Sequence, residues 1–242
     1  MRSGRVPIKG LIETSFVDWR GSMSAVLFTG GCNFRCPFCH NRELVEDVHS
    51  LPTIALRTAL GRLTAQKDWV ERVVVTGGEP TIHPALPDTM KSLKDAGFHV
   101  KLDTNGSNPG MVRDLVEQGL VDYVAMDVKG PLSGYARWCG VNVDVGKIGE
   151  TISFLMQGKV SYEFRMTVVP VLHKGEDVYG VAETLKQADL FVIQEFRPTN
   201  TLDPNFTAIR AYTPEKMETL RRMVRSIMAG PQGPVSSPPN FY

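Results

Sequence analysis

The sequence has few cysteines, no surplus of either charge and no long apolar run. Four cysteines among 242 residues argue against a disulfide framework. The 27 basic residues nearly balance the 26 acidic ones, so the composition gives no sign of a nucleic-acid partner. No apolar run reaches membrane-spanning length, and the start "MRSGRVPIKG" lacks the apolar core of a signal peptide. We therefore expect a cytoplasmic protein without nucleic-acid or membrane partners, whose cysteines serve a metal or redox site.

Six short stretches rich in β-branched and apolar residues alternate with segments of helical apolar spacing. Continuous apolar runs bounded by turn signals are typical of strands buried on both faces of a parallel sheet. The repeated order of strand and helix predicts an α/β architecture, with one domain over residues 1–230 and a flexible tail over 231–242. Gly97 and Gly119 are predicted to end two helices in the left-handed conformation. The predicted strands are 24–30, 72–78, 99–104, 122–128, 162–169 and 190–196.

The second, third and fourth predicted strands each end in a carboxylate. These residues are Glu79, Asp103 and Asp127, which follow one another at steps of 24 residues. Such a step is about the length of one strand, one helix and two short loops. We therefore expect the three acids at equivalent places at the carboxyl ends of neighbouring strands, where barrels and open α/β sheets carry their active sites.

Three cysteines, Cys32, Cys36 and Cys39, follow directly after the first predicted strand. A structural zinc site takes four ligands, usually as two pairs, and the chain has no second pair. His40 is an awkward fourth ligand because it adjoins Cys39. Thiolates also hold iron–sulfur clusters, and a four-iron cluster held by three cysteines leaves one iron open. The spacing therefore favours a reactive [4Fe–4S] cluster over a structural metal.

The three-cysteine motif resembles that of the radical S-adenosylmethionine (SAM) superfamily. Four further motifs fit the same family, and the resemblance covers roughly residues 8 to 198. The motifs are "CNFRCPFC" at 32–39, "CHN" at 39–41, "TGGEP" at 76–80, "LDTNG" at 102–106 and "MDVK" at 126–129. Together they are most similar to the glycyl-radical-enzyme activating branch, which includes the activating enzymes of pyruvate formate-lyase and of anaerobic ribonucleoside-triphosphate reductase.

The resemblance implies a partial (β/α)6 TIM-like barrel of the radical SAM type, with a [4Fe–4S] cluster bound by Cys32, Cys36 and Cys39. It also implies that SAM is cleaved reductively to a 5′-deoxyadenosyl radical. A flavodoxin or ferredoxin would deliver the electron, and a glycyl-radical enzyme such as anaerobic ribonucleotide reductase would be the substrate. Six strands leave the barrel open on one side, as a protein substrate requires.

Several SAM contacts follow from the resemblance. Phe38 matches an aromatic residue beside the adenine, and Gly77 and Gly78 match a backbone stretch that approaches the methionine moiety closely. Glu79 is a candidate acceptor for the SAM ammonium group or a tie for its own loop. Asn105 is a candidate ribose contact or a turn residue.

A monovalent cation is a further expectation from the resemblance. Asp103, Thr104 and Asp127 match positions that surround such a cation near the SAM carboxylate in pyruvate formate-lyase activating enzymes, and Lys129 matches a lysine beside it. Clustered carboxylates need a cation or a basic partner to remain ionised together.

Some polar residues carry no clear role in the sequence. Cys139 is expected to be a small apolar filler, and His83 and His173 to be solvated loop histidines. Arg165 lies on a predicted strand and Arg197 follows one. For both, the sequence is equally compatible with a contact to SAM or substrate and with an internal salt bridge.

Two other functions fit part of the pattern. A radical SAM enzyme that acts on a small molecule, such as a 7-carboxy-7-deazaguanine synthase, would use the same SAM motifs with different substrate loops. A non-enzymatic iron–sulfur electron carrier would need four ligands and would be indifferent to SAM.

Overall fold

The computed structural model describes residues 5–230, which form a curled, seven-stranded half-barrel sheet in the order β1 to β7. The tail predicted at 231–242 lies outside the described residues. The strands are β1 (Ile8–Trp19), β2 (Ser22–Thr29), β3 (Arg72–Gly77), β4 (His99–Thr104), β5 (Tyr123–Asp127), β6 (Ser161–Val168) and β7 (Phe191–Glu195). The helices are α1 (Arg42–Glu46), α2 (Leu56–Thr64), α3 (Leu86–Asp95), α4 (Pro109–Glu117), α5 (Ala136–Cys139), α6 (Val145–Leu155), α7 (Gly175–Thr184) and α8 (Pro214–Met228).

Strands β2 to β7 are parallel and confirm the six predicted strands. Their apolar runs are buried because helices cover the outer face of the sheet. Strand β1 was missed by the sequence analysis. It pairs with β2 in antiparallel fashion through several register shifts. It lies at the edge of the sheet, and its Phe16 and Val17 are exposed, so it lacks the continuous apolar run of a buried strand.

Local sequence signals set the ends of several helices. Gly97 and Gly119 follow α3 and α4 with φ angles of 78° and 66°, as predicted. The Asn108 side chain accepts a hydrogen bond from the Met111 amide at the start of α4. Thr213 caps α8 in the same way. Among the described residues, the structure contains no helix with the length and apolar character needed to cross a membrane.

The interior of the barrel is polar along β4 and β6. Lys101, Asp103, Glu163 and Arg165 point inward from these strands, and the Lys101 ammonium donates to the carbonyl oxygen of Asp18 at the end of β1 (2.7 Å). This bond ties the antiparallel strand to the inside of the barrel. Lys101 belongs to a row of charged side chains that reaches the candidate site.

Candidate active site

A cavity of about 210 Å³ opens at the carboxyl ends of β2 to β6. All twelve residues predicted for the site line it, which places the five sequence motifs around one space. The cavity is also lined by His40, which the sequence analysis set aside as an awkward fourth metal ligand. Four further lining residues were missed, because their types alone give no functional signal: Phe34, Asn41, Thr76 and Thr167.

The three acids reach this cavity from different levels. Asp103 lies opposite Ala125, two residues before Asp127 on the neighbouring strand, and Glu79 comes two residues after the end of β3. The expectation of equivalent places is therefore wrong in detail, because neighbouring strands of a barrel are staggered along its axis.

Cys32, Cys36 and Cys39 form the loop that follows β2, and all three have free thiols that line the cavity. The Phe34 amide donates to the sulfur of Cys32 (3.3 Å), as amides near iron–sulfur ligands do. Burial raises the pKa of Cys32 to about 12 and also raises that of Cys39, so binding a metal centre must release protons from these thiols.

The described residues include no group of three or more His, Cys, Asp or Glu placed to hold a single metal ion. The chemistry of the donor set, with three thiols around one cavity and a backbone amide aimed at one sulfur, instead fits a multi-iron cluster.

Gly77 and Gly78 let the second motif touch the backbone of the cysteine loop. Gly77 has a φ of 117°, and a side chain at Gly78 would overlap the carbonyl oxygen of Gly31. The Glu79 amide donates to that same oxygen (2.8 Å), and the Asn41 side chain donates to the carbonyl of Gly77 (2.8 Å). The structure therefore gives the glycine pair a role in holding the two loops together.

A segment after β7 braces the other side of the cysteine loop. The Leu202 amide donates to the carbonyl of Cys39, and the Asp203 amide donates to that of Pro37, each at 2.9 Å. The Asn200 side chain donates to the carboxylate of Glu43 at 3.0 Å. Nothing in the sequence predicted this contact, because about 160 residues separate the two segments.

Glu79 is 1% exposed and accepts four hydrogen bonds. Its Oε1 accepts from the Thr81 amide (3.1 Å), the Thr81 hydroxyl (2.6 Å) and the Thr104 hydroxyl (2.7 Å), while Oε2 accepts from the Asn105 amide (2.6 Å). Burial raises the pKa of Glu79, and the four donors act in the opposite direction. Glu79 thus ties the β3 and β4 loops together, and one lone pair of Oε2 has no donor among the described residues.

Asp127 lies between two cations at the floor of the cavity. The Arg165 guanidinium donates to Oδ1 at 2.8 Å, and the Lys129 ammonium donates to Oδ2 at 3.1 Å. Although burial opposes ionisation, Arg165 and Lys129 hold the pKa of Asp127 well below its usual range. Arg165 also donates to Asp103 (3.0 Å). Of the two roles that the sequence left open for Arg165, the structure therefore shows the internal salt bridge. Arg197 is exposed.

His173 is fully buried, so the expectation of a solvated loop residue is wrong. Its Nδ1 accepts from the Val169 amide (2.9 Å) and its Nε2 donates to the carbonyl of Lys129 (2.8 Å). The ring stacks on Trp138 and meets the edge of Phe38, with centroids 5.9 and 6.2 Å away. Burial lowers the pKa of His173 to about 4, so the ring is neutral at pH 7.

His83 and Cys139, to which the sequence analysis gave no functional role, also have hydrogen-bond partners. His83 is partly buried and donates from Nε2 to the carbonyl of Gly30 (2.9 Å), next to the cysteine loop. Cys139 is buried as expected, but a hydrogen bond with its thiol lowers the pKa of Cys36. The carbonyl of Cys139 accepts from the Arg35 amide (2.8 Å), which anchors α5 against the cysteine loop.

The chain is similar to known proteins in sequence and in fold. A family model described as the radical SAM superfamily matches residues 26–188. A Methanocaldococcus jannaschii protein named as a glycyl-radical enzyme activating enzyme is 33% identical over 205 residues, which cover 82% of this chain and 83% of that protein. A 7-carboxy-7-deazaguanine synthase from Neisseria meningitidis is 33% identical over 142 residues, 56% of this chain and 60% of its own length.

Among solved structures, that of Streptococcus suis SuiB bound to the precursor peptide SuiA has a similar fold. The TM-score is 0.63 at 13% identity, and the match covers 80% of this chain and 43% of SuiB. At this identity the likeness concerns the fold alone.

Proposed function

Since the chain belongs to the radical SAM superfamily, we propose that it is an activating enzyme that installs a glycyl radical on a partner protein. The family implies a [4Fe–4S] cluster and SAM, and the thiols of Cys32, Cys36 and Cys39 would hold the cluster. When bound together, these two groups supply a 5′-deoxyadenosyl radical through one-electron cleavage of the sulfonium. The side chains and backbone of the cavity would bind and orient SAM and shield it from water.

The chain's own residues orient SAM and exclude water. Phe38 is buried at the cavity wall with its ring held by His173, a position suited to contact with the adenine. Glu79 keeps the β3 and β4 loops in place and has one acceptor position left for the SAM ammonium. Asn105 donates to Asn33 at 2.9 Å and thereby links its turn, a candidate ribose contact, to the cysteine loop.

The observation that carries the proposal is the extent of the M. jannaschii match. That relative is covered over 83% of its length, and its name describes a protein that activates a glycyl-radical enzyme. A protein substrate needs an open approach to the cavity. The sheet supports this requirement, because β1 and β7 are its two ends and do not pair with each other within the described residues.

A second candidate function is the modification of a small molecule. The N. meningitidis 7-carboxy-7-deazaguanine synthase supports it at the same identity but over 60% of its length. The SAM motifs serve both functions, so the substrate decides between them.

The test is radical transfer to a candidate protein. The iron-reconstituted enzyme, a reduced flavodoxin or ferredoxin, SAM and an anaerobic ribonucleotide reductase would be mixed without oxygen and examined by electron paramagnetic resonance (EPR). We expect a glycyl-radical doublet that is missing when the reductase carries Ala in place of its radical glycine. SAM cleavage that is stimulated by the deazaguanine synthase substrate and not by the reductase would replace this proposal with the second function.

The monovalent cation and the identity of the electron donor stay predictions. A monovalent cation would be needed if the charges of Asp103 and Asp127 had no cationic side chain beside them. Which side chains pair with these two carboxylates therefore bears on the prediction.

A further inference from the structure

The barrel interior holds three carboxylates and three cations in an alternating row. The members of this row, named here the charge row, are Lys129, Asp127, Arg165, Asp103, Lys101 and Glu163. Arg165 lies at the centre of the row, on β6, with 15% of its side chain exposed. In such an alternating row, each charged group has an oppositely charged group beside it in a place where an isolated charge would be costly.

Arg165 bridges the two carboxylates for which a monovalent cation is expected. Its Nε lies 2.8 Å from Oδ1 of Asp127, and its Nη1 lies 3.0 Å from Oδ2 of Asp103. The two remaining carboxylate oxygens face lysines: Lys129 is 3.1 Å from Oδ2 of Asp127, and Lys101 is 3.4 Å from Oδ1 of Asp103. Asp103 Oδ1 has an ion-pair partner but makes no hydrogen bond. Each of the four oxygens therefore already faces a cation, and an added Na⁺ or K⁺ would be repelled by it.

The hydroxyl of Thr104, the third expected cation ligand, is also engaged. It donates to Oε1 of Glu79 at 2.7 Å and accepts from the Gly106 amide at 3.1 Å. The residues that match a cation site are thus committed to partners within the chain, two of them to a permanently charged guanidinium that suits paired carboxylates.

We propose that Arg165 takes the place of the monovalent cation and positions Asp103 and Asp127 for SAM, so that SAM binds without Na⁺ or K⁺. This inference rests on the proposed use of SAM and does not depend on the final substrate. Arg165 acts through the two carboxylates and is a positioning residue.

The test measures the SAM dissociation constant of the anaerobically reconstituted enzyme by equilibrium dialysis. The buffers contain choline, Na⁺ or K⁺ as the chief cation, and the SAM-induced change in the EPR spectrum of the reduced cluster is a second readout. For the wild-type enzyme we expect dissociation constants within about twofold of one another in the three buffers. A tenfold or greater gain in Na⁺ or K⁺ would overturn the proposal.

Arg165→Met supplies the complementary measurement. Loss of the bridging cation should weaken SAM binding about tenfold or more in choline, and K⁺, Na⁺ or added guanidinium should restore most of the loss. Weak binding that no cation restores would mean that Arg165 has only a structural role and would also overturn the proposal. Arg113→Met is the matched control, because Arg113 forms an exposed ion pair with Glu150 at 2.6 Å, and its SAM binding should match wild type.

Arg165→Lys covers the case in which Arg165→Met does not fold. A lysine keeps the charge but cannot donate to both carboxylates at once as the guanidinium does. The Arg165→Lys enzyme should therefore bind SAM more tightly than the Arg165→Met enzyme, and added guanidinium or K⁺ should improve its binding. No response to any cation would contradict the proposal. If wild-type enzyme with a full cluster binds no SAM in any buffer, the proposed function fails first, and that result is distinguishable from a cation-dependent wild type.

Discussion

Replacing Glu79 should destabilise the fold as well as the SAM site. In Glu79→Ala, the Thr81 and Asn105 amides lose their acceptor in a place that is 1% exposed, while the Thr81 and Thr104 hydroxyls can rotate to other partners. An unsatisfied buried donor costs about 1–3 kcal/mol, so the two amides together give a loss of about 2–6 kcal/mol. Such a loss is a large fraction of the stability of an ordinary domain.

Glu79→Gln should cost less, because the amide oxygen can take the place of Oε1 and keep three of the four hydrogen bonds. Its NH₂ group would then face the Asn105 amide, so one buried donor loses its partner, at about 1–3 kcal/mol. Glu150→Ala is the control. It removes an exposed ion pair with Arg113, for which about 0–1 kcal/mol is expected.

The assay is urea unfolding of the iron-free proteins at pH 7, followed by tryptophan fluorescence and circular dichroism. We expect the free energy of unfolding to fall in the order Glu150→Ala, Glu79→Gln, Glu79→Ala. A Glu79→Ala protein whose free energy lies within 1 kcal/mol of wild type would refute the accounting, since the two amides would then have found other acceptors.

Three further predictions concern the cysteine loop and its support. Gly78→Ala should displace the cysteine loop and lower the iron content after reconstitution, and an iron content equal to that of wild type would contradict the account. Its control is Gly61→Ala, in open space on α2, which should stabilise the protein by about 0.5–1 kcal/mol. Cys36→Ala should abolish the cluster absorbance and Cys139→Ala should retain it; equal losses would indicate four ligands. Because His173 has a pKa of about 4 when folded and about 6.5 when unfolded, the unfolded chain binds the extra proton, and stability should fall by about 3 kcal/mol as the pH drops from 6.5 to 4. His173→Asn should flatten this dependence in pH-controlled urea titrations, and an unchanged slope would assign it to other groups.

The sequence predicted the parallel part of the fold well. Strands β2 to β7 are rich in buried apolar residues, even though β4 and β6 also carry the charged residues of the barrel interior, and the glycines after α3 and α4 mark positions that need a positive φ. The resemblance to the radical SAM superfamily supplied most of the twelve site residues. They line one cavity because their motifs follow strands of one parallel sheet, whose carboxyl ends meet.

The supports of the site could not be predicted in the same way. His173, the Leu202 and Asp203 amides and Arg165 act through contacts with residues far away in the sequence. A lone histidine or arginine has no local pattern that distinguishes a buried partner from a solvated side chain. Strand β1 was missed for a related reason: an edge strand with exposed apolar residues and register shifts lacks a clean period.

The most direct test of the account is the response of the reduced cluster to SAM. The protein would be reconstituted with iron and sulfide without oxygen, reduced with dithionite and examined by EPR before and after SAM is added, with 5′-deoxyadenosine measured by chromatography. The account predicts a reduced-cluster signal that changes with SAM, together with 5′-deoxyadenosine. A fully loaded cluster whose signal ignores SAM and yields no 5′-deoxyadenosine would contradict it.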